Sequence, residues 1–308
     1  MTASAAAPAF SLIIPHRDDL AGLARTLAAL ARLDAASPAC ELIVADNGSA
    51  AGLEAVAQVA AAAGLAMPVR VIDAGAVIGA GPARNLAARA AQGGALAFID
   101  CDCLPPPGWL IAAAAALARH AVAGGLVQVV LPPGSARRAR PAEAFDMLFG
   151  FNVAQGFARD GLLLTANLAV RASVFRTVGD FRNRLPEDLD WCHRAAAQGH
   201  GLALVPGMAL GHVALDDARR LAARWDRVMR EAWAYHRLRG RGRASWLWYL
   251  AKVAASPLLH APRALFAPIG PADWRLRAGV LQLLLAVRWR RVATGISAMR
   301  AADVPSDC

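Results

Sequence analysis

Two aspartates separated by one residue, Asp100 and Asp102, are the residues whose types and spacing most clearly suggest chemistry. They directly follow an apolar run from Leu96 to Ile99, which is typical of a buried strand. Magnesium in proteins is usually held by one or two carboxylates together with substrate phosphates. A metal bound here would neutralise negative charge on a departing diphosphate. The pair alone recurs by chance, so its position at a strand end carries most of the weight.

Two further candidates lie earlier in the chain. Asp46 follows the apolar run Leu42 to Ala45, where its carboxylate can accept hydrogen bonds from a nucleoside base or ribose, or can simply stabilise a turn. Arg84 and Asn85 lie early in a helix behind a glycine-rich turn. A helix N-terminus beside an arginine suits a phosphate, and an ordinary surface arginine is the alternative.

The later candidates are two adjacent acids and a histidine. Glu187 and Asp188 begin a predicted helix, where the helix dipole favours acids in any case. The functional interpretation is a general base that takes a proton from an attacking hydroxyl. His212 ends a short predicted strand, and it is either a third ligand of a metal or phosphate, or a structural residue.

The elements that must position these residues follow from the apolar pattern. Four predicted strands, Phe10 to Ile14, Glu41 to Ala45, Val69 to Ile72 and Leu96 to Ile99, alternate with helical spacing. This alternation predicts a parallel sheet with helices on both faces. Ligands of such sheets lie beyond the carboxyl ends of the strands. Polar residues follow each strand there: His16-Arg17-Asp18, Asp46-Asn47, Asp73 and Asp100-Cys101-Asp102.

The second half of the chain is less regular. We predict a strand from Gly125 to Leu131, a basic loop from Pro132 to Pro141, and a helix from Pro186 to about Gly199. Short strands are predicted at Leu202 to Val205 and at Met208 to His212. Beyond Asp216 the composition becomes rich in arginine, tryptophan, leucine and alanine, with helical spacing. We therefore predict a catalytic domain at 1–215 and a basic helical tail at 216–308.

Composition limits the class of protein. The chain has 308 residues, of which 57% are hydrophobic and 18% charged, so it is long and apolar enough to bury a core. The N-terminal MTASAAAPAF lacks the pattern of a signal peptide, and no uncharged apolar run reaches the length of a membrane-spanning helix. The cysteines, Cys40, Cys101, Cys103, Cys192 and Cys308, are scattered, which favours reduced cytosolic thiols.

The net charge of +10 is concentrated towards the C-terminus. Between Arg219 and Arg243 there are nine arginines and only two acids, and tryptophans recur from Trp225 to Trp289. This composition favours binding to an anionic membrane surface, and an ordinary helical appendage with a solvated basic face is the alternative. No nucleic-acid-binding module is visible, so we expect no nucleic-acid partner. The expected location is cytoplasmic, peripheral at the inner face of the cell membrane.

Taken in chain order, seven short segments resemble the family 2 glycosyltransferases. They span about 200 residues and are, in order, Ser11-Leu-Ile-Ile-Pro15, Glu41-Leu-Ile-Val-Ala-Asp-Asn-Gly-Ser49, Gly81-Pro-Ala-Arg-Asn85, Phe98-Ile-Asp-Cys-Asp102, Thr165-Ala-Asn-Leu-Ala-Val-Arg171, Gly179-Asp-Phe181 and Pro186-Glu-Asp-Leu-Asp190. Each segment is degenerate, but their order makes the combination specific.

The resemblance implies an α/β fold of the GT-A type, a nucleotide-sugar donor that is often a uridine diphosphate sugar, and Mg²⁺ or Mn²⁺. It implies that Asp46 contacts the base, Asp100 the ribose and Asp102 the metal, with Asp188 as the catalytic base. His212 resembles a late histidine that reaches the metal or diphosphate. On this basis the donor side comprises Pro15, Arg17, Asp46, Asp73, Arg84 and Asp100, and the acceptor side comprises Asn167, Glu187 and Trp191.

The sequence departs from the family pattern in two places. His16-Arg17 stands where an aromatic residue followed by Asn is common, which puts the base and ribose contacts in doubt. The Gln-x-x-Arg-Trp segment of processive members is missing, because Leu221 precedes Arg224-Trp225. We therefore expect one inverting transfer to an acceptor hydroxyl on a glycan or lipid-linked precursor, rather than polymerisation.

Two other functions compete with this one. A sugar-nucleotidyltransferase also uses carboxylates at strand ends, but it typically has a glycine-rich, arginine-containing loop after the first strand, which Pro15-His16-Arg17-Asp18 is not. A non-catalytic, membrane-associated binding protein on the same fold is the other alternative. Intact Asp100, Asp102 and Asp188 argue against it.

Overall fold

The computed structural model describes residues 8–135, 138–268 and 273–301. Within these ranges the strands are β1 (Phe10–His16), β2 (Cys40–Asp46), β3 (Val69–Asp73), β4 (Ala95–Ile99), β5 (Cys103–Leu104), β6 (Val122–Gly124), β7 (Val127–Val130), β8 (Asn167–Arg171), β9 (Leu202–Leu204) and β10 (Leu210–Val213). The helices are α1 (Leu20–Leu30), α2 (Gly52–Ala62), α3 (Ala80–Ala90), α4 (Trp109–Arg119), α5 (Pro141–Phe149), α6 (Val153–Asp160), α7 (Ala172–Val178), α8 (Glu187–Ala197), α9 (Ala218–Leu238), α10 (Arg243–Phe266) and α11 (Trp274–Arg300).

The main sheet has seven strands in the order β3-β2-β1-β4-β8-β6-β9. Strands β3, β2, β1 and β4 are parallel, as the sequence predicts. Strand β8 runs antiparallel to both of its neighbours, β4 and β6, so the whole sheet is mixed. Strands β1, β2 and β4 are almost completely buried, which explains why they appear in the sequence as continuous apolar runs.

The strand predicted at Gly125 to Leu131 is observed as the shorter β7, and β6, which lies just before it, was not predicted. Strand β6 ends at Gly124 in the main sheet, and β7 begins at Val127 in a second sheet with the order β5-β10-β7. At Gly125 an added Cβ would lie 2.2 Å from the carbonyl oxygen of Met208, so only glycine fits. The chain passes between the two sheets at this close approach, which apolar periodicity does not reveal.

The chain divides into two compact units. The first contains the described residues of Met1–Gln128, Asn152–Asn183 and Glu187–His212, and its core lies under the main sheet. The second contains Val129–Phe151, Arg184–Pro186 and the described residues from Val213 onward. Helix α5, which falls inside the predicted 1–215 domain, belongs to the second unit.

Helices α9, α10 and α11 form the bulk of the second unit and confirm the predicted helical C-terminal region. Met229, Trp233, Trp246 and Leu250 pack together there, and the indole N–H of Trp246 donates to the carbonyl oxygen of Gly295. Across the described ranges, no helix combines the length and apolar content that crossing a membrane requires.

The cysteines in the described ranges, Cys40, Cys101, Cys103 and Cys192, all carry free thiols. Cys308 and the first seven residues, on which the expectation of no signal peptide partly depends, lie outside the described residues.

Candidate functional site

Asp100, Asp102 and His212 come together at the carboxyl end of β4. One ligand atom from each side chain lies within 4.8 Å of the others. The register of the second sheet explains the meeting, because His212 on β10 pairs with Cys103 on β5, directly after Asp102. Nε2 of His212 lies 3.1 Å from a carboxylate oxygen of Asp102. The predicted third ligand is therefore beside the predicted acid pair.

The chemistry of these side chains fits a divalent cation. Two carboxylates and an imidazole nitrogen suit Mn²⁺, and Mg²⁺ prefers oxygen ligands throughout. Cys101 and Cys103 flank Asp102 but do not belong to this group of ligand atoms, and burial and the charges of Asp100 and Asp102 hold their thiol pKa values well above the usual range. Protonated thiols are poor metal ligands.

Asp188 lies next to this group. The pairing of Ile99 with Asn167 brings the segment before β8 to the end of β4, and the backbone N–H of Thr165 donates to Oδ1 of Asp188 at 3.1 Å. Burial raises the pKa of Asp188, and the nearby charge of Asp100 adds to this; Arg84 and the hydrogen bond from Thr165 act in the opposite direction. A carboxylate with a raised pKa is a better proton acceptor than an ordinary one.

Arg84 connects the two groups of acids. Its guanidinium is 4% exposed, donates to Asp100 at 2.5 Å, and also pairs with Glu187. Burial alone would lower the pKa of Arg84, but the charges of Glu187, Asp100 and Asp188 outweigh it and raise the pKa. Arg84 is thus a permanent positive charge that links the end of β4 to the first turn of α8.

Glu187 lies against the beginning of α3. At Gly81, an added Cβ would be 2.6 Å from Oε2 of Glu187, so a larger residue there would displace the end of the Glu187 side chain. The Arg84 guanidinium is buried and pairs with the carboxylates of Glu187 and Asp100, so it is not an ordinary surface arginine. Its contact with a phosphate stays a prediction.

Asp46 is held in a buried hydrogen-bond network. Its Oδ1 accepts from Ser49 Oγ at 2.5 Å and lies 3.0 Å from Nδ1 of His16, and its Oδ2 accepts from the Ser49 backbone at 3.2 Å. Burial would raise the pKa of Asp46, but these hydrogen bonds outweigh it and lower the pKa. Asp46 is therefore a carboxylate that fixes the loop after β2 to the end of β1.

Two residues predicted on the acceptor side have structural partners. The Asn167 amide is completely buried; it donates to the carbonyl oxygens of Leu126 and Met208 and accepts from the indole of Trp109. Trp191 is completely buried in the core, and its indole N–H donates to the carbonyl oxygen of Gly179. Neither side chain is exposed, so neither is available at the surface to contact an acceptor.

The remaining predicted donor residues lie along the same sheet edge. Pro15 is buried near the end of β1, and Arg17 is exposed one residue beyond the strand. Asp73 ends β3, is exposed, and accepts a hydrogen bond from the backbone of Gly75 at 2.8 Å. Their contacts with a donor stay predictions.

Sequence reasoning missed four residues that support the site. His16 and Ser49 hold Asp46, Thr165 holds Asp188, and Trp109 holds Asn167. His16, Ser49 and Thr165 each lie in a segment that the sequence marks as polar or as part of the family resemblance. Ser49 is only three residues from Asp46, but the other three partners lie 23 to 58 residues away in the chain, and no periodicity shows such pairs.

Residues 11–178, more than half of the chain, match the model of a known family described as "Glycosyl transferase family 2". A curated relative, Glycosyltransferase AglE of Haloferax volcanii, is 29% identical over 199 residues, which is 63% of this chain. The aligned region is 64% of the relative's length, so the chain spans less than two thirds of that protein.

Two solved structures show the same fold. The mannosyltransferase PcManGT from Pyrobaculum calidifontis, in complex with GDP-Man and Mn²⁺, has a TM-score of 0.63 at 18% identity, covering 97% of this chain and 89% of that one. Residues 1–349 of S. aureus TarS, in complex with UDP-GlcNAc, have a TM-score of 0.50 at 17% identity, covering 94% and 90%. At these identities the likeness establishes architecture.

Proposed function

This chain belongs to glycosyl transferase family 2 and has the GT-A fold, and from that premise we propose that it transfers a sugar from a nucleotide-diphosphate sugar to an acceptor hydroxyl. The transfer proceeds with inversion and occurs once per acceptor. The observation that carries the proposal is the meeting of Asp100, Asp102 and His212 beside Asp188, with Arg84 joining them.

The first set of residues serves the donor. Asp102 and His212 would hold Mn²⁺ or Mg²⁺, which supplies positive charge to the departing diphosphate when it is bound. Asp100 lies beside them and serves the ribose of the donor. Because Arg84 pairs with Asp100, the carboxylate of Asp100 is held in one orientation before the donor arrives.

The second set of residues serves the acceptor. Asp188 takes the proton from the acceptor hydroxyl as the hydroxyl oxygen attacks the anomeric carbon. The backbone N–H of Thr165 donates to Oδ1 of Asp188 and the Thr165 side chain also hydrogen-bonds the carboxylate, so Asp188 is held in place for this step. Glu187 is not suited to this step, since its carboxylate pairs with Arg84.

The expected result of a donor screen tests this function directly. Nucleotide-diphosphate sugars, with uridine and guanosine forms both included, should raise the melting temperature of the protein in Mn²⁺, because a ligand of the native state stabilises it. The same sugars in EDTA should give little shift. The matching donor should also release its nucleoside diphosphate when an acceptor is added. No shift with any nucleotide sugar in Mn²⁺ would contradict the proposal.

We place the acceptor on a lipid-linked or cell-surface glycan precursor, and the protein at the inner face of the cell membrane. The support is an exposed apolar stripe on α10, where Trp248, Leu259 and Phe266 fall on one helix face and are 67%, 81% and 78% exposed. Lys252 lies 6.0 Å from the Trp248 ring, and neither α10 nor α11 contains an acid. Tryptophan beside cationic side chains is typical of the surface of an anionic bilayer.

Removing the stripe should weaken membrane binding. Replacing Trp248, Leu259 and Phe266 together by Ser should lower binding to vesicles containing phosphatidylglycerol by about tenfold or more, measured by flotation. A control with Leu53→Ser and Leu238→Ser, two exposed leucines outside α10, should bind like the wild type. Equal binding of the stripe variant and the wild type would remove the support for a membrane location. Donor-induced stabilisation would be unaffected in either case.

A further inference from the structure

Five side chains of the second unit form a cationic and aromatic group that the proposed transfer reaction does not use. Arg288 and Arg291 come from α11, His260 and Arg263 from α10, and Trp225 from α9. The guanidinium carbons of Arg288 and Arg291 lie 6.0 and 4.5 Å from the centre of the Trp225 ring. The Arg263 guanidinium lies 5.7 Å from the ring of Phe149 on α5, which contacts the His260 ring edge-on at 5.9 Å.

Arg288 is buried without an acid. It is 7% exposed, and its Nε has no hydrogen-bond partner in the part of the chain that the structure describes. Burial and the charge of Arg291 lower the pKa of Arg288 to about 10, so the guanidinium is still charged at neutral pH. A buried charge without a partner is strongly unfavourable. Elsewhere, the buried Arg84 pairs with Asp100 and Glu187.

The neighbouring cations also have no acid. Arg291 donates to two uncharged atoms, the hydroxyl of Tyr249 at 3.1 Å and the sulfur of Met229 at 3.5 Å. Neither Arg263 nor Arg291 forms an ion pair with an acid in the described ranges. Three guanidiniums therefore lie around two aromatic rings, and none of them is ion-paired with an acid of the described residues.

Two further polar atoms of this group are buried and unpaired. Nδ1 of His260 and Nε1 of Trp225 have no hydrogen-bond partner among the residues described. Burial and the surrounding arginines, Arg288 first, lower the pKa of His260, so its imidazole is neutral at neutral pH. The indole N–H of Trp225 can thus donate a hydrogen bond, and Nδ1 of His260 can donate in the tautomer that carries its proton there.

We propose that Arg288, Arg291, Arg263 and His260 form a binding site for a phosphate group, with Trp225 and Phe149 as its walls. Arginine forks match phosphate oxygens bidentately, and a phosphomonoester or diphosphate supplies the negative charge that the group lacks. The same group can reach the site free in solution or as the headgroup of a lipid. This inference goes beyond the proposed transfer, because it assigns an anion site in the helical unit of the chain.

The test uses the full chain in EDTA, so that the metal-dependent donor site does not contribute. Inorganic phosphate and pyrophosphate should each raise the melting temperature of the wild type. Arg288→Met should raise the half-saturating phosphate concentration by about tenfold or more. Arg263→Gln should raise it several-fold, and because Arg263 is exposed, this substitution should not disturb folding. Arg243→Met, an exposed arginine of α10 with the same loss of charge, should behave like the wild type.

Stability without ligand gives a second readout. Because Arg288→Met removes an uncompensated buried charge, its melting temperature in phosphate-free buffer should exceed that of the wild type. A purely structural Arg288 would give the opposite sign. Asp102→Asn should leave phosphate binding in EDTA unchanged, which separates this site from the donor site.

Vesicles distinguish the two sources of the phosphate. If a lipid headgroup is the ligand, vesicles containing phosphatidic acid should bind the wild type more tightly than phosphatidylcholine vesicles, and Arg288→Met should reduce that difference. If the ligand is soluble, only inorganic phosphate or pyrophosphate should depend on Arg288. The inference is overturned if all the phosphate probes act equally on the wild type and Arg288→Met.

Discussion

Replacing Asp188 by Asn should leave nucleotide-sugar binding intact and lower sugar transfer by about 100- to 10,000-fold, the usual contribution of a general base. The amide has the same shape as the carboxylate, so its oxygen can still accept the hydrogen bond from Thr165. It cannot accept the proton of the acceptor hydroxyl. The change should therefore affect the chemical step and not the donor site.

The measurement needs donor binding and transfer to be determined separately. Calorimetry with the donor in Mn²⁺ should give dissociation constants for Asp188→Asn and the wild type that agree within a few-fold, and single-turnover transfer should differ greatly. Asp180→Asn is the matched control, because Asp180 is an exposed acid whose carboxylate pairs with Arg89 at the surface. Normal transfer by Asp188→Asn would mean that another group is the base.

The adjacent acid provides an internal comparison. Glu187→Gln removes the carboxylate that pairs with Arg84, so it should disturb the position of the Arg84 guanidinium and, through it, that of Asp100. The expected result is weaker donor binding together with slower transfer. A loss confined to transfer in Glu187→Gln, with Asp188→Asn active, would assign the proton transfer to Glu187.

The parts of this site that the sequence predicted share a physical cause. Strands β1, β2 and β4 are buried on both faces, so they are continuous apolar runs, and each ends where a polar residue begins. Parallel strands bring those ends to one edge. The sequence alone therefore predicts that Asp46 and Asp100 lie at the same edge of the sheet.

The contacts of the site that the sequence did not predict are those that depend on tertiary structure. Arg84 and Glu187 are 103 residues apart, and their ion pair depends on the close approach of α3 and α8 that Gly81 permits. The pairing of His212 with Cys103 is a register between two short strands, β5 having only two residues. Apolar patterning specifies register weakly in such short strands.

The role predicted for Asp46 shows the same limit in another form. Its place at the end of β2 was predicted correctly, but its contacts were not: His16, which lies beside Asp46 in the sheet, ends the neighbouring strand β1, and the Ser49 side chain bonds back to the carboxylate three residues earlier. His16, which departs from the family pattern, is buried and holds the Asp46 carboxylate. The base contact of Asp46 stays a prediction.

Replacing Asp102 by Asn should abolish the metal dependence of donor binding. Changes to residues that merely support a metal ligand cost 10- to 100-fold in metal affinity, so loss of a ligand's charge should cost about 100-fold or more. The Asn oxygen can still contact Nε2 of His212, which lies 3.1 Å from the Asp102 carboxylate, so the fold should persist. Donor titrations in Mn²⁺ and in EDTA should then give nearly the same weak affinity.

Asp100→Asn separates the two acids of the pair. Asp100 is already paired with Arg84, whereas Asp102 lies beside His212, so the two carboxylates have different partners. If Asp102 is the metal ligand, Asp100→Asn should weaken donor binding but keep the difference between Mn²⁺ and EDTA. The reverse pattern, with Mn²⁺ dependence lost in Asp100→Asn and kept in Asp102→Asn, would exchange their roles. His212→Gln should show a smaller loss than Asp102→Asn, because it removes one neutral ligand and no charge.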